Sequence, residues 1–248
     1  MRAFGGTLLV LALIVPFAGT ADASGIDDAN AAVVAARDGK YDDAVRLFTS
    51  AINSDELNPT GRAQAYAYRG IAKATLGDYG GSAEDLNFSV ALDTPYNADA
   101  YAFRGYMALV TGAPQKAAAD LAKSAGLKVW SYNALWLALA RMKAGVVDTG
   151  SVSLANNATT LTIGQWPWPV VKFMMGQATR EEVAAAANEG DPAKTVERVC
   201  DADFYVGEYD LAHNDSASAR PALRRAAEKC PFASFERMGA TAELMQLK

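Results

Sequence analysis

The chain has 248 residues, 51% of them hydrophobic, and a formal net charge of −5 at neutral pH, which suits one or two domains with a buried core. The acidic balance argues against a nucleic-acid partner, because binding phosphates requires a basic surface. A single histidine and two cysteines are too few for a multi-histidine metal centre or a zinc cage, so we predict no metal site and no cofactor.

Residues 1–23 have the pattern of a secretory signal peptide. An unbroken apolar run from Leu8 to Val15 ends at Pro16, and Ala21 and Ala23 supply the small residues before a cleavage site. An N-terminal membrane anchor is the alternative, but an apolar core of about eight residues is much shorter than the ~20 that span a bilayer. We therefore expect cleavage after Ala23, a periplasmic protein, and no membrane span in the mature chain.

Similar segments recur along the chain at a period near 34 residues. Tyr66–Gly70 (YAYRG) and Tyr101–Gly105 (YAFRG) have matching letters, and a turn glycine follows each of them, Gly77 and Gly112. Small residues where two helices cross, with glycine at the turn between them, form the tetratricopeptide pattern. The sequence therefore predicts an all-α solenoid of tetratricopeptide helical hairpins.

The repeats divide the chain into two predicted regions. We predict an N-terminal array over residues 25–160, with about four repeats of which the last is degenerate, and a C-terminal helical region over 161–248. The second region contains an irregular helical insert and one further repeat over 200–231, with Gly207 at the helix crossing and Asn214 at the turn. A final amphipathic helix after this repeat is expected to cap the stack, because an uncovered solenoid end is apolar.

The two cysteines lie at the ends of the late repeat. Cys200 opens its first predicted helix and Cys230 closes its second, and antiparallel helices bring these ends together opposite the turn. In an oxidising compartment this predicts a disulfide that closes a loop of about 31 residues and stabilises the fold by roughly 3–4 kcal/mol. Two buried free thiols are the alternative.

The first helices of the repeats are expected to line a concave face. In the third and fourth repeats the positions that face inward become more apolar and aromatic, and such a surface suits a helix or an extended peptide with apolar anchors. The predicted protein-binding groove consists of Tyr106, Leu109, Tyr132, Leu135, Leu139 and Met142. The alternative is that these residues are core, packed under the irregular segment after Gly145.

No residues in the sequence support catalysis. His213 is followed by Asp215 and Ser216 within one predicted tight turn, whereas a hydrolytic triad needs groups that converge from separate elements. We therefore predict no catalytic residues and a surface position for His213. Trp166 and Trp168 could stack on a glycan, but tryptophan beside proline at a helix start more often fixes packing between irregular segments.

Four motifs occur in an order that is typical of one known family. They are Leu135–Ala140, the segment from Gln165 to Gly176, Phe204–Tyr209, and Phe235–Leu244. Their succession resembles the new lipoprotein I type of bacterial envelope tetratricopeptide proteins, especially its alphaproteobacterial relatives, over roughly residues 27–248. The chain lacks the lipobox cysteine of that family.

The resemblance implies an all-helical scaffold, often a homodimer. It also implies that the scaffold docks peptidoglycan hydrolases and a C-terminal processing protease, so that one is presented to the other. We therefore expect a non-enzymatic periplasmic adaptor whose partners are envelope proteins. The alternatives are a periplasmic chaperone-like binder of unfolded or exported chains, and, less in keeping with the sequence, a cell-wall lytic enzyme.

Overall fold

The computed structural model describes residues 24–128, 131–146, 154 and 165–247, and within these ranges the chain is helical, with no strand. The predicted signal peptide lies outside them. The helices are α1 (Ser24–Arg37), α2 (Tyr41–Asn53), α3 (Pro59–Thr75), α4 (Tyr79–Ala91), α5 (Asn97–Val110), α6 (Pro114–Leu127), α7 (Ser131–Lys143), α8 (Trp168–Met174), α9 (Arg180–Asn188), α10 (Thr195–Ala212), α11 (Ser216–Lys229) and α12 (Phe235–Gln246).

Local signals in the sequence account for where helices begin and where the chain turns between the two helices of a hairpin. Thr179 and Glu182 form the reciprocal capping box that starts α9. The hairpin turns fall on residues with positive φ, which glycine and asparagine adopt most easily: 89° at Gly77, 76° at Gly112 and 62° at Asn214. The predicted role of Asn214 as a turn residue is therefore confirmed.

Helical hairpins repeat along the array as expected. The pairs α1–α2, α3–α4, α5–α6 and, later, α10–α11 are each packed side by side. Helix α7 begins the predicted fourth repeat, and the predicted remainder of that repeat, apart from Leu154, lies outside the described residues. In the late repeat, α10 begins at Thr195 after a short 3-10 turn, Pro192–Lys194, and Cys200 lies in its second turn.

A glycine lets the two helices of a hairpin approach each other closely. A Cβ at Gly105 would lie 2.7 Å from Cγ of Leu121, and a Cβ at Gly207 would lie 2.7 Å from Cγ of Leu223. These distances are too short for any other residue at the crossing. The same glycine–leucine contact therefore defines the third repeat and the late repeat.

Two buried ion pairs join the helices of the second and third repeats. Arg69 donates from Nε and Nη2 to both oxygens of Asp85 at 2.8 and 2.7 Å, and Arg104 binds Asp120 in the same way at 2.7 and 2.8 Å. Two parallel hydrogen bonds make this the strongest geometry for an arginine–carboxylate pair. Each buried aspartate in the array is thus neutralised by an arginine.

Helix α12 packs against α11, and it also contacts α10 and α5. A predicted cap would only cover the end of the stack, whereas α12 also lies on the face formed by the first helices of the repeats. Among the described helices, none combines the length and hydrophobicity needed to cross a membrane.

Candidate protein-binding face

Phe235, the first residue of α12, inserts among aromatic rings of the array. Its ring centroid lies 6.0 Å from that of Phe103, 4.9 Å from Tyr106 and 6.4 Å from Trp136. All four rings are buried, and contacts at these distances are favourable in tilted and offset geometries. The concave face of the third and fourth repeats therefore holds an aromatic anchor that belongs to the chain itself.

The six residues of the predicted groove lie on α5 and α7 and share this face. Four of them are buried: Tyr106, Leu109, Leu135 and Leu139, the last two completely. Tyr132 and Met142 are half-buried. Of the buried groove residues, Tyr106 is in direct contact with α12 through the ring of Phe235.

Tyr106 and Tyr132 are held by hydrogen bonds at the N-terminal end of the face. The Tyr106 hydroxyl donates to Oδ1 of Asn133, whose Nδ2 donates to Oγ of Ser124 at 2.8 Å. The Tyr132 hydroxyl donates to Oδ2 of Asp201 on α10 at 2.9 Å. Both tyrosines thus contribute polar contacts as well as apolar surface.

An open cleft of about 430 Å³ remains at the opposite end of the face. Leu109 and Met142 of the predicted groove line it together with Leu211 and Leu247, and Leu247 follows the end of α12. The carbonyl of Leu247 accepts a hydrogen bond from Arg220 on α11. This cleft is the part of the predicted groove that is accessible while α12 is in place.

Lys143 joins three helices at the edge of the same cleft. Its ammonium lies 2.8 Å from Oε2 of Glu208 on α10 and donates to Glu243 on α12. Burial lowers the pKa of Lys143, but its attraction to the two carboxylates outweighs burial and leaves the pKa raised. Burial raises the pKa of Glu208 to about 7 against the opposing effect of Lys143. The ammonium group of Lys143 is thus shared by two carboxylates, those of Glu208 and Glu243.

A second polar site, which we call the carboxyl pocket, lies where α12 begins. It contains Asp201, Glu236, Tyr132, Trp166 and Tyr205. Oδ2 of Asp201 accepts hydrogen bonds from Tyr132 and, at 2.8 Å, from Nε1 of Trp166, whereas Oδ1 is buried and has no hydrogen-bond partner among the described residues. Burial raises the pKa of Asp201 to about 7, although both hydrogen bonds lower it.

Glu236 brings a second acid into the carboxyl pocket. The side chain is buried, and one of its oxygens lies within 4.8 Å of an oxygen of Asp201. Burial and the neighbouring charges of Asp201 and Glu197 together raise the pKa of Glu236 to about 8. Two carboxyl groups this close in a dry site cannot both ionise without a large cost.

The disulfide predicted from the sequence is present beside this pocket. The sulfurs of Cys200 and Cys230 are 2.08 Å apart and the Cα atoms 5.0 Å apart. Although Cys200 lies close to Asp201 and Glu236, its sulfur is bonded to Cys230 and offers no thiolate to a metal. The disulfide instead ties α10 to the point where the chain leaves α11 for α12.

The structure also shows where His213 and Trp166, the other residues considered from the sequence, are located. His213 is exposed at the end of α10, where its Nδ1 lies 2.7 Å from the carbonyl oxygen of Tyr209. Trp166 is half-buried and bonded to Asp201, so it joins the irregular segment to the late repeat. The predicted surface position of His213 is confirmed.

Asp201 and Glu236 were missed by the sequence analysis. A signal existed for Asp201, since Cys200, Asp201, Phe204, Tyr205 and Glu208 follow the spacing of a buried helical stripe. Acids on such a stripe indicate buried polar sites. For Glu236 no comparable signal exists, because its burial depends on α12 lying against the array.

Comparison with known proteins supports the fold. No protein-family model matches the chain. The chain is similar to a tetratricopeptide repeat protein from Parabacteroides merdae, with a TM-score of 0.58 and 16% identity over 89% of this chain and 86% of that one. Two crystal structures of MamA are similar at TM-scores of 0.47 and 0.42 and identities of 16% and 17%; they cover 80% and 83% of this chain, and 93% and 91% of their own. The chain has the fold of a tetratricopeptide-repeat solenoid.

Proposed function

We propose that this protein is a non-enzymatic scaffold of the periplasm that binds other envelope proteins through the concave face of its repeats. The observation that supports the proposal most strongly is the packing of the Phe235 ring against Phe103, Tyr106 and Trp136. A face that holds an amphipathic helix by an aromatic anchor has the chemistry of helix-in-groove recognition. Buried aromatic residues of this kind dominate binding energy at protein interfaces.

Export supports the periplasmic part of the proposal. The bond between Cys200 and Cys230 is the type of disulfide that persists in oxidising compartments. The N-terminal 23 residues have the composition of a signal peptide. The sequence resemblance to envelope adaptors favours, as partners, a processing protease and peptidoglycan hydrolases that are brought together, with a homodimer as the scaffold.

The proposal is tested by affinity capture from a periplasmic extract with the immobilised mature protein, analysed by mass spectrometry. We expect one processing protease or hydrolase to be recovered in a defined ratio. A broad mixture of unfolded chains would instead support a chaperone. Wall hydrolysis by the purified protein in a zymogram would contradict a non-enzymatic role.

A matched pair of variants tests whether the concave face is the binding surface. Met142→Ala shortens a half-buried residue of the open cleft, whereas Phe88→Ala removes an exposed ring on α4. We expect the first to weaken capture of the partner and the second to leave it unchanged. Equal capture by both variants would place the binding surface elsewhere.

A further inference from the structure

Helix α12 brings a chemically mismatched side chain to the concave face. Its first residue, Phe235, fills an aromatic site, but its second, Glu236, places a carboxyl group within 4.8 Å of the carboxyl group of Asp201. In the array, by contrast, a buried carboxyl group is neutralised by a base, since Asp85 and Asp120 each face an arginine. In the carboxyl pocket, Glu236 lies beside Asp201 at a position where a basic side chain would be favourable.

Polar atoms in the carboxyl pocket are left without partners. Oδ1 of Asp201 and the hydroxyl of Tyr205 are both buried and unpaired within the described part of the chain. Tyr205 is completely buried, and its pKa is raised well above 10 by burial and by the charges of Glu236 and Asp201. An unsatisfied buried acceptor costs free energy that a positively charged donor would recover.

The ionisable groups around the pocket are predominantly acidic or phenolic. Arg237, next to Glu236, donates instead to the carbonyl of Cys230 and stacks on Phe232. Lys128 lies 3.4 Å from Asp99. The ionisable groups that interact with Asp201 or Glu236 are Tyr106 on α5, Tyr132 on α7, and Glu197 and Tyr205 on α10.

We propose that the face covered by α12 is the docking site for a partner segment in which an aromatic residue is followed by a basic one, and that this segment displaces α12. This inference rests on the proposed scaffold function and specifies its partner. The aromatic ring takes the site of Phe235, and the basic group binds Asp201 where Glu236 now lies. A lysine side chain is one bond longer than glutamate, which brings its ammonium closer to the carboxylate.

The disulfide limits how much of the chain must move. Because Cys230 is bonded to Cys200 on α10, the late repeat stays together when residues after Cys230 leave the face. The contacts that α12 must then give up include the ring of Phe235, the packing of Gly239 against Phe204, the ion pair of Glu243 with Lys143, and the hydrogen bond from Arg220 to Leu247.

The mismatch depends on pH. At low pH the pair holds protons and α12 fits the pocket. As the pH rises towards the pKa values of Asp201 and Glu236, about 7 and about 8, the two carboxylates begin to repel each other. A basic competitor therefore gains advantage over α12 as the pH increases.

The test uses two fluorescent peptides that span residues 231–247, one with the native sequence and one carrying Glu236→Lys. Their binding to the full mature protein is measured by anisotropy at pH 5 and pH 8. We expect the lysine peptide to bind about tenfold more tightly at pH 8, with a smaller ratio at pH 5. A third peptide carrying Phe235→Ala as well as the lysine should not bind.

Two protein variants make the result specific. Asp201→Asn keeps the acceptor for Tyr132 and Trp166 but removes the charge, so the two peptides should bind to it with similar affinity. Phe235→Ala in the protein weakens the hold of α12, so both peptides should bind to it more tightly than to wild type. Circular dichroism checks that each variant is folded.

Several results would overturn the inference. They are equal affinity of the two peptides for wild type at pH 8, a lysine preference that persists in Asp201→Asn, and no binding of either peptide even to the Phe235→Ala protein. Failure of the scaffold proposal is a separate outcome, because capture from extract can fail while the synthetic lysine peptide still binds.

A complementary change in the protein itself gives an independent check. Glu236→Lys in the intact chain should tighten the closed form, which raises Tm and lowers peptide affinity together. A variant that melts earlier than wild type and binds the peptides more tightly would contradict the predicted attraction between residue 236 and Asp201.

Discussion

The array and the start of α12 treat buried acids in opposite ways. In the second and third repeats, Asp85 and Asp120 each receive two hydrogen bonds from an arginine of the paired helix. At the start of α12, Asp201 faces Glu236 instead. A buried acid with its arginine is a structural element, whereas two acids that face each other favour separation. The contrast indicates that the hairpins of the array stay packed, whereas α12 can separate from the face that it covers.

The late repeat lacks the buried arginine–aspartate pair of the array and contains a disulfide. Counted from the glycine–leucine crossing, the positions of Arg104 and Asp120 correspond in the late repeat to Val206 and Ala222, which carry no charge. Its two helices are joined instead by the disulfide between Cys200 and Cys230 and by the more exposed ion pair of Arg225 with Asp203. The two regions share one backbone arrangement but differ in what holds the hairpin together.

Loss of the disulfide should have the largest effect. In the chain-entropy model, opening a loop of about 30 residues lowers the free energy of unfolding by roughly 3–4 kcal/mol. Urea unfolding with and without reductant measures this. Cys200→Ala combined with Cys230→Ala should give the reduced value and no further response to reductant, since the chain has no other cysteine. An unchanged midpoint on reduction of wild type would show that the late repeat is held by packing alone.

Breaking an ion pair of the array comes next. Arg104→Met leaves Asp120 buried without its cation, and we expect a loss of about 3 kcal/mol in urea unfolding. The control is Arg225→Met, because Arg225 binds Asp203 with a side chain that is 48% exposed. Such a surface pair should contribute less than about 1 kcal/mol. Similar losses in the two variants would remove the distinction between buried and exposed pairs.

Filling a helix crossing should have a smaller effect. Gly105→Ala places a Cβ against Leu121 and lowers the free energy of unfolding by about 2 kcal/mol, as overpacking does in other cores. Gly126→Ala is the matched control on α6, because a Cβ there meets nothing within 4 Å and φ is not positive. Alanine should stabilise that position by about 0.5 kcal/mol. Thermal unfolding of both variants checks the opposite signs.

Neutralising Glu236 should give an effect that depends on pH. Folding raises the pKa of Glu236 from 4.5 to about 8, so the folded state holds a proton that the unfolded state has lost. The free energy of unfolding therefore falls as the pH rises between these two values and levels off above about 8. Glu236→Gln removes this loss and should be more stable than wild type at pH 8, with little difference at pH 4.

The control for this change is Glu228→Gln on α11, where the side chain is exposed. We expect that variant to follow wild type at both pH values. A pH-independent gain in Glu236→Gln would mean that the glutamine packs better, and that repulsion between carboxylates contributes nothing to the stability of α12.

Much of the fold could be predicted because its causes are local or periodic. The crossing glycines Gly70, Gly105 and Gly207 and the turn residue Asn214 are each read from a few neighbouring letters. The pairing of Cys200 with Cys230 followed from the antiparallel hairpin that those letters imply.

The occupancy of the face could not be predicted. Tyr106 has the same apolar character whether it is exposed to a partner or packs against the chain's own Phe235. The difference arises from Phe235, more than 125 residues beyond Tyr106, and no local pattern encodes so distant a contact.

By itself, the sequence determined the class of fold, the positions of the helical hairpins and the disulfide of the late repeat. The reason is that contacts within each hairpin recur, so the residues that make them recur in the sequence with a period near 34 residues. Only the tertiary structure decided that α12 covers the concave face and that Asp201 and Glu236 meet there. The physical reason is that burial and charge repulsion depend on which surfaces touch, and two acids 35 positions apart carry no mark of their proximity until the helices that bear them are packed.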